Sequence, residues 1–344
     1  MTQFARELAD KLRGLGAHLP PGPGAAAGGF ALGFDAARTA ASSSSSSSSS
    51  AAVSSARLND LRDRLRVLQD RSHSREPAVA RNLACLGYLE ISLAAVAVSL
   101  QGQCRDSVAA TYALQALSNL AMEGANRQRL ADLGAVELSV AAVRAFEVPG
   151  GGGGGSAASG AASGAGSGGG ARVVKDAVVA IRHLAYEMDA NKARVLQCGG
   201  VAAIVRAMGD FAEHAQLLRQ CAGALALLSV PCALGDAARA EVIRRGGLRA
   251  LHAALARHRA DGQVVAAVAR AVATIFSNGG APEARALAKE LATVELIEAV
   301  LAEHGGAAGQ GEVAESLRAA ARKIRLGAQA AAQQAQQEAA AARR

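Results

Sequence analysis

Apolar residues recur along this chain at the spacing of a helix with one buried side. After Gly199, Val201, Ile204, Val205 and Met208 fall at i, i+3, i+4 and i+7; after Gly246, Leu248, Leu251 and Leu255 repeat the stripe. Residues 106–122, around Leu114, Leu117 and Leu120, predict another helix of the same kind. The first nineteen residues are weakly amphipathic, with Phe4, Leu8, Leu12 and Leu15 near one face, and predict a mobile extension or a small docking helix. Three stretches lack such a stripe. Residues 20–56 run from Pro20, Pro21 and Pro23 to serines filling 42–50, and 149–170 are almost entirely Gly, Ser and Ala, so both are expected to be disordered. The Ala/Gln-rich tail 327–344 has the propensity for a solvated helix only.

The apolar segments are copies of one another. LACLGYLEISLAAVAVSL from Leu83, LADLGAVELSVAAVRAF from Leu130, VLQCGGVAAIVRAM from Val195, VIRRGGLRALHAAL from Val242 and the weaker ALAKELATVELIEAVL from Ala286 stand in register. Their shared turn positions are Gly87, Gly134, Gly199 and Gly246, with Ala292 in the fifth slot. The 149–170 insert falls in the one long interval between them. A period of about 40 to 47 residues marks a helical solenoid. In each unit a short first helix must end and turn sharply, which glycine does in a left-handed conformation that other residues reach only with strain. A second and a third helix follow. Asn126 and Asn191 open the next first helix, where their side chains are expected to cap backbone N–H groups. The predicted fold is therefore all-α. About five repeats span 57–326 behind a capping helix at 57–71, flanked by the segment 1–19, the linker 20–56 and the tail 327–344. The insert lies between a second and a third helix. Lengthening that loop from about four to about twenty residues costs only about 1.5 kcal/mol of closure entropy.

ALSNLAMEGANRQRLADLGAVELSV and AIRHLAYEMDANKARVLQCGGVAAIV resemble armadillo repeats, in the style of L-x-N-L-A, then N-[KR], then a glycine turn. The resemblance implies a right-handed superhelix whose third helices line a concave groove for extended protein segments. Groove positions in register are Thr111, Lys175, Arg219 and Ala266; Gln115, Val179, Gly223 and Arg270; Ser118, Arg182, Ala226 and Ala273; Asn119, His183, Leu227 and Thr274. The resemblance points to Gln115, Asn119, Lys175, Arg182, His183, Arg219, Arg270 and Thr274 as partner contacts. Their cations, with no acid among these positions, predict an acidic extended segment as the ligand. Nuclear-import receptors of this family carry Trp and Asn four residues apart on successive third helices. Here Gln115/Asn119, Val179/His183, Gly223/Leu227 and Arg270/Thr274 occupy those places, only Asn119 matches, and the chain has no Trp, which argues against that subgroup. Hsp70 nucleotide-exchange factors, which also use a short armadillo array, are the alternative function.

Composition narrows the chemistry. Hydrophobic residues make up 51% but aromatics only 3%, so the core is Ala, Val and Leu, which favours helices. The net charge of +8 comes from dispersed arginines, mainly in 57–81, in 239–259 and at the C-terminus, without interleaved aromatics, so nucleic acid is the weaker reading. Five cysteines, odd in number and without a C-x-x-C pair, predict neither a disulfide framework nor a zinc site and point to a reducing compartment. Cys85, Cys198 and Cys221 read as small core residues. The glycine run lacks the Lys-Ser or Lys-Thr of a phosphate loop, and His252 and His258, six apart, lie on different helix faces with no further ligand beside them. His183 has no Ser, Cys or acid next to it in sequence and reads as a partner contact. The expectation is a cytoplasmic, non-enzymatic scaffold without cofactor, metal or small-molecule substrate, with the nucleus as a second location. No apolar run is long enough to span a membrane, and Glu7, Asp10 and Asp35 weigh against organellar targeting by residues 1–56.

Overall fold

The computed structural model describes residues 3–14, 55–73, 77–100, 106–146, 167–277, 280–304 and 311–342, and among them every regular element is a helix. The helices fall into two compact units. The first holds α1 (Gln3–Gly14), α2 (Ser55–Ser72), α3 (Pro77–Cys85), α4 (Tyr88–Leu100), α5 (Ser107–Leu120), α6 (Gly124–Asp132), α7 (Ala135–Ala145), α8 (Ser167–Ala185) and α9 (Asp189–Gln197). The second holds α10 (Gly200–Asp210), α11 (Ala215–Leu228), α12 (Gly235–Arg244), α13 (Gly247–Arg257), α14 (Gly262–Ile275), α15 (Pro282–Glu290), α16 (Thr293–His304) and α17 (Gly311–Ala342). The expected linker 20–56 lies outside the described residues up to Ser55, where α2 begins. The insert 149–170 lies outside them only as far as residue 166, because 167–170 form the first turn of α8.

In the first unit α2, α5 and α8 lie side by side, and α1, α4 and α7 form a second row. In the second unit α11, α14 and α17 form the corresponding row of third helices, and α10 packs on α13. The N-terminal cap is thus two helices, not α2 alone. Residues 3–14 form a docked helix, because Ala5, Leu8, Ala9 and Leu12 repeat on one face and are buried. Aliphatic side chains fill both units. In α4 every residue from Tyr88 to Ser99 except Glu90 is buried. Among the described residues no single helix is long and apolar enough to cross a membrane; Ala78–Cys85 and Tyr88–Leu100 pass that test only as a pair bent by 75°.

The five turn positions all have positive φ: +85° at Gly87, +87° at Gly134, +72° at Gly199, +79° at Gly246 and +48° at Ala292. Each follows a short first helix, and the amide N–H of Gly134 and that of Gly246 donate back to the carbonyls of Ala131 and Ile243. Ala292 holds this conformation with a Cβ, at a cost of about 1–2 kcal/mol. Replacing it with Gly removes that strain and adds about 0.5–1 kcal/mol of chain entropy to the unfolded state. Ala292→Gly is therefore expected to raise the melting temperature of the second unit by about 2 °C. A lower melting temperature in a calorimetric scan would mean the turn is relaxed as it stands.

Asn126 and Asn191 do not cap backbone N–H groups as their sequence positions suggest. They are 4% and 0% exposed and donate from Nδ2 to the carbonyls of Leu120 (3.1 Å) and Leu184 (2.8 Å), at the ends of α5 and α8. The last carbonyls of a helix lack intrahelical partners, and once buried by the following helix they need a donor from elsewhere. Arg239 gives the same service in the second unit, donating from Nη1 to the Ser229 carbonyl at 2.9 Å. The side-chain N-caps belong instead to Asp106 and Asp261, which accept from the first amides of α5 and α14. His258 and His304 end α13 and α16 with structural contacts: each Nε2 meets the carbonyl of a loop residue of the preceding repeat, Ala212 at 2.7 Å and Arg259 at 2.5 Å. Cys85, expected in the core, is exposed because it ends α3 on the solvent side, and Cys198 is half-buried; only Cys221 is enclosed, where burial pushes its thiol up to about 12.

Candidate protein-binding groove

The third helices of the first unit place equivalent pairs of residues in one line. Leu65, Leu68 and Ser72 of α2 are buried where Thr111, Leu114 and Ser118 of α5 are, so Gln69 and His73 take the places of Gln115 and Asn119. On α8 the same places are Val179 and His183. These six, with Ser118 and Asp176, line a cleft of about 330 Å³. Gln115, Asn119 and His183 are thereby brought together from the sequence-derived set. Lys175 and Arg182 are on α8 but not in the lining, and Arg219, Arg270 and Thr274 belong to the second unit.

Hydrogen bonds between neighbouring helices fix these side chains. Asn119 Nδ2 donates to Ser72 Oγ at 3.2 Å, and Ser72 Oγ donates on to the Gln69 carbonyl. Gln115 Nε2 donates to Asp176 Oδ2 at 2.9 Å. His183 Nδ1 lies 2.8 Å from Ser118 Oγ and 3.1 Å from the Ser118 carbonyl. So a serine does stand beside His183 in space, although none does in sequence. Its hydroxyl meets the same ring nitrogen that faces the carbonyl, an arrangement that anchors the ring.

The face is not free of acid, contrary to the sequence reading. Asp176, one residue past the position of Lys175, turns inward with a side chain only 6% exposed and pairs with Lys175 Nζ at 3.0 Å. Burial outweighs Lys175 and Gln115 and holds the Asp176 carboxyl above its ordinary range. In the second unit Arg219 Nη1 reaches Gln263 Oε1 at 3.5 Å, Arg270 pairs with Glu312 at 2.9 Å, and Thr274 Oγ1 donates back to the Arg270 carbonyl at 2.8 Å. The sequence register stopped at α14. Carried on to α17 by its buried residues Val313, Ala314 and Leu317, it sets Arg322 and Lys323 at the places of Ala273 and Thr274. Gln69 and His73 were missed because α2 was read as a cap rather than as a third helix.

Burial lowers the pKa of His183, and the nearby Arg182 and Arg127 act in the same direction against the Ser118 carbonyl. A histidine whose folded pKa lies below its unfolded value keeps its full stability contribution above the unfolded pKa. It loses that contribution as pH falls from about 6.5 through the folded pKa. His252 has the same sign. Asp176 has the opposite sign, since its burial penalty is relieved as pH falls through its raised pKa toward the ordinary range. The histidine contribution is therefore expected to fall as pH drops below about 6.5, and His183→Gln should remove its part of that pH dependence. An unchanged slope in thermal melts would place the titration elsewhere. Among the described residues no group of three or more His, Cys, Asp or Glu side chains is placed to hold a metal ion.

No family model and no curated protein matches this sequence. In fold the chain is similar to a crystal structure of an engineered protein, a target of the Northeast Structural Genomics Consortium, with a TM-score of 0.60 at 19% identity over 80% of this chain and 94% of that one. Among the described residues the packed rows of helices make an all-α fold with a helical-repeat-like arrangement.

Proposed function

We propose that this chain is a non-enzymatic scaffold or adaptor built of armadillo-type repeats wound in a right-handed sense, and that it holds an extended segment of a partner protein along its third helices. The observation that carries this reading is the line of equivalent positions, polar at all but Val179, formed by Gln69/His73, Gln115/Asn119 and Val179/His183 along one cleft. An extended peptide brings backbone N–H and C=O groups that need partners once water is displaced, and side-chain amides on successive helices supply both donors and acceptors. By the repeat register the third helices carry Lys175 and Arg182 against Asp176 in the first unit, and Arg219, Arg270, Arg322 and Lys323 against Glu312 and Glu315 in the second, so in each unit the cations outnumber the acids and an acidic segment is the preferred ligand. A pull-down with the full chain, repeated with nuclease and with ATP, is expected to recover one stoichiometric protein whose binding weakens with salt and survives both treatments. The Gln115→Ala/Asn119→Ala variant should lose it. Release by nuclease would favour nucleic acid, and release by ATP a chaperone cofactor.

A further inference from the structure

The N-terminal helix α1 meets a surface that matches it in three ways. Its apolar face, Ala5, Leu8, Ala9 and Leu12, is buried, with α4 as its main neighbour. Two ion pairs join it to α2, Arg64 Nη1 to Glu7 at 3.0 Å and Lys11 to Asp60, so the charges on the two helices are complementary in position and sign. The guanidinium of Arg71 covers the Phe4 ring, 4.3 Å from its centroid. At twelve residues α1 is too short to be a stable helix by itself. Its helicity depends on the groove. The sequence from Gly14 to Ser55 is the one covalent tie between α1 and the rest of the chain, and no disulfide reinforces it among the described residues.

We propose that the α2/α4 groove is a helix-binding site and that α1 of a second copy of this chain can occupy it in place of the resident helix, joining two copies by exchange. The second copy is the occupant that brings the same Phe4, Leu8 and Leu12 stripe with Glu7 and Lys11 in register for Arg64 and Asp60. Every contact made within one chain is then remade between two. Tethering favours the resident helix at low concentration, and exchange gains as concentration rises.

The test traps the exchanged helix at the Lys11–Asp60 contact, with Cys85→Ser in every chain to remove an exposed native thiol. One full-length chain carries Lys11→Cys and another carries Asp60→Cys; the two are mixed at high concentration, incubated and oxidised. Disulfide-linked dimer containing one chain of each kind is expected, at least tenfold above that from either chain alone. A chain carrying both substitutions, oxidised when dilute, must close within itself and so reports that the two positions remain in reach. A closed control with no mixed dimer overturns the proposal. Should the control fail to close, a labelled peptide of residues 3–14 decides. It is expected to bind full-length Leu12→Ala, whose own α1 is loosened, at least tenfold more tightly than the unaltered chain. Lys11→Glu in the peptide should weaken that binding, and Asp60→Lys in the chain should restore it. Equal binding to both chains, or no rescue, overturns the proposal as well.

Discussion

Reversing Arg219 and Arg270 to Glu should lower partner affinity at least about tenfold while leaving the melting temperature nearly unchanged. Arg219 and Arg270 are exposed, and their contacts with Gln263 and Glu312 are of the surface kind that contributes about 0–1 kcal/mol to folding. Their field acts on an incoming acidic segment, so the loss should appear chiefly in the association rate and shrink at high salt. Lys175 is different. It is the counter-ion of the buried Asp176, so Lys175→Glu should cost about 2 kcal/mol of stability as well as any binding. Unchanged affinity in the Arg219/Arg270 variant, measured by titration calorimetry, would remove the second unit's arginines from the binding surface and leave the first-unit cleft as the candidate.

Two adjacent glycines should fail for different reasons. Gly246 has φ +79° and nothing within 4 Å of where a Cβ would stand, so substitution meets backbone strain alone. Gly246→Ala and Gly246→Val should each cost about 1–3 kcal/mol. At Gly247 a Cβ would lie 2.5 Å from Val242 Cγ1 and 2.9 Å from the Val242 carbonyl oxygen, and 3.5 Å from Val205 on α10. There the cost should grow with size, reaching about 3 kcal/mol or more for Val, because the neighbouring carbonyl cannot rotate away as a side chain can. Chemical denaturation of the four variants separates the cases: similar midpoints for the two Gly246 variants and a steep step between the two Gly247 variants. The same size dependence at both positions would mean that sterics, not φ, select glycine at this turn.

These turns explain why so much of the fold was legible in the sequence. A left-handed residue after each short first helix leaves a glycine, and the helix that follows leaves a stripe at i, i+3 and i+4, so each repeat carries its own punctuation. Even the alanine in the fifth slot adopts positive φ. The capping logic was less legible. Asn opening a helix suggests an N-cap by local rules, whereas Asn126 and Asn191 answer to carbonyls of the preceding helix, a tertiary demand. The first-unit cleft was half legible. Gln115, Asn119 and His183 fell out of the repeat register, but α2 lacks the flanking repeat that would have revealed Gln69 and His73 as their counterparts. Asp176 was invisible because it adjoins a groove position and turns inward to meet Gln115, a residue distant in sequence.

The last helix is continuous in its hydrogen bonding yet divided in what holds it. From Val313 to Gly327 α17 buries an apolar face against α14 and α16, and beyond Gly327 its side chains are almost all exposed. The first part is held by tertiary packing, while the second, rich in Ala and Gln, is held by local propensity and bonds such as Gln334 to Glu338. Fraying therefore starts at the C-terminal end and proceeds turn by turn until it meets the buried Gly327. Temperature sets the length of this helix well before it touches the fold of the unit that anchors it.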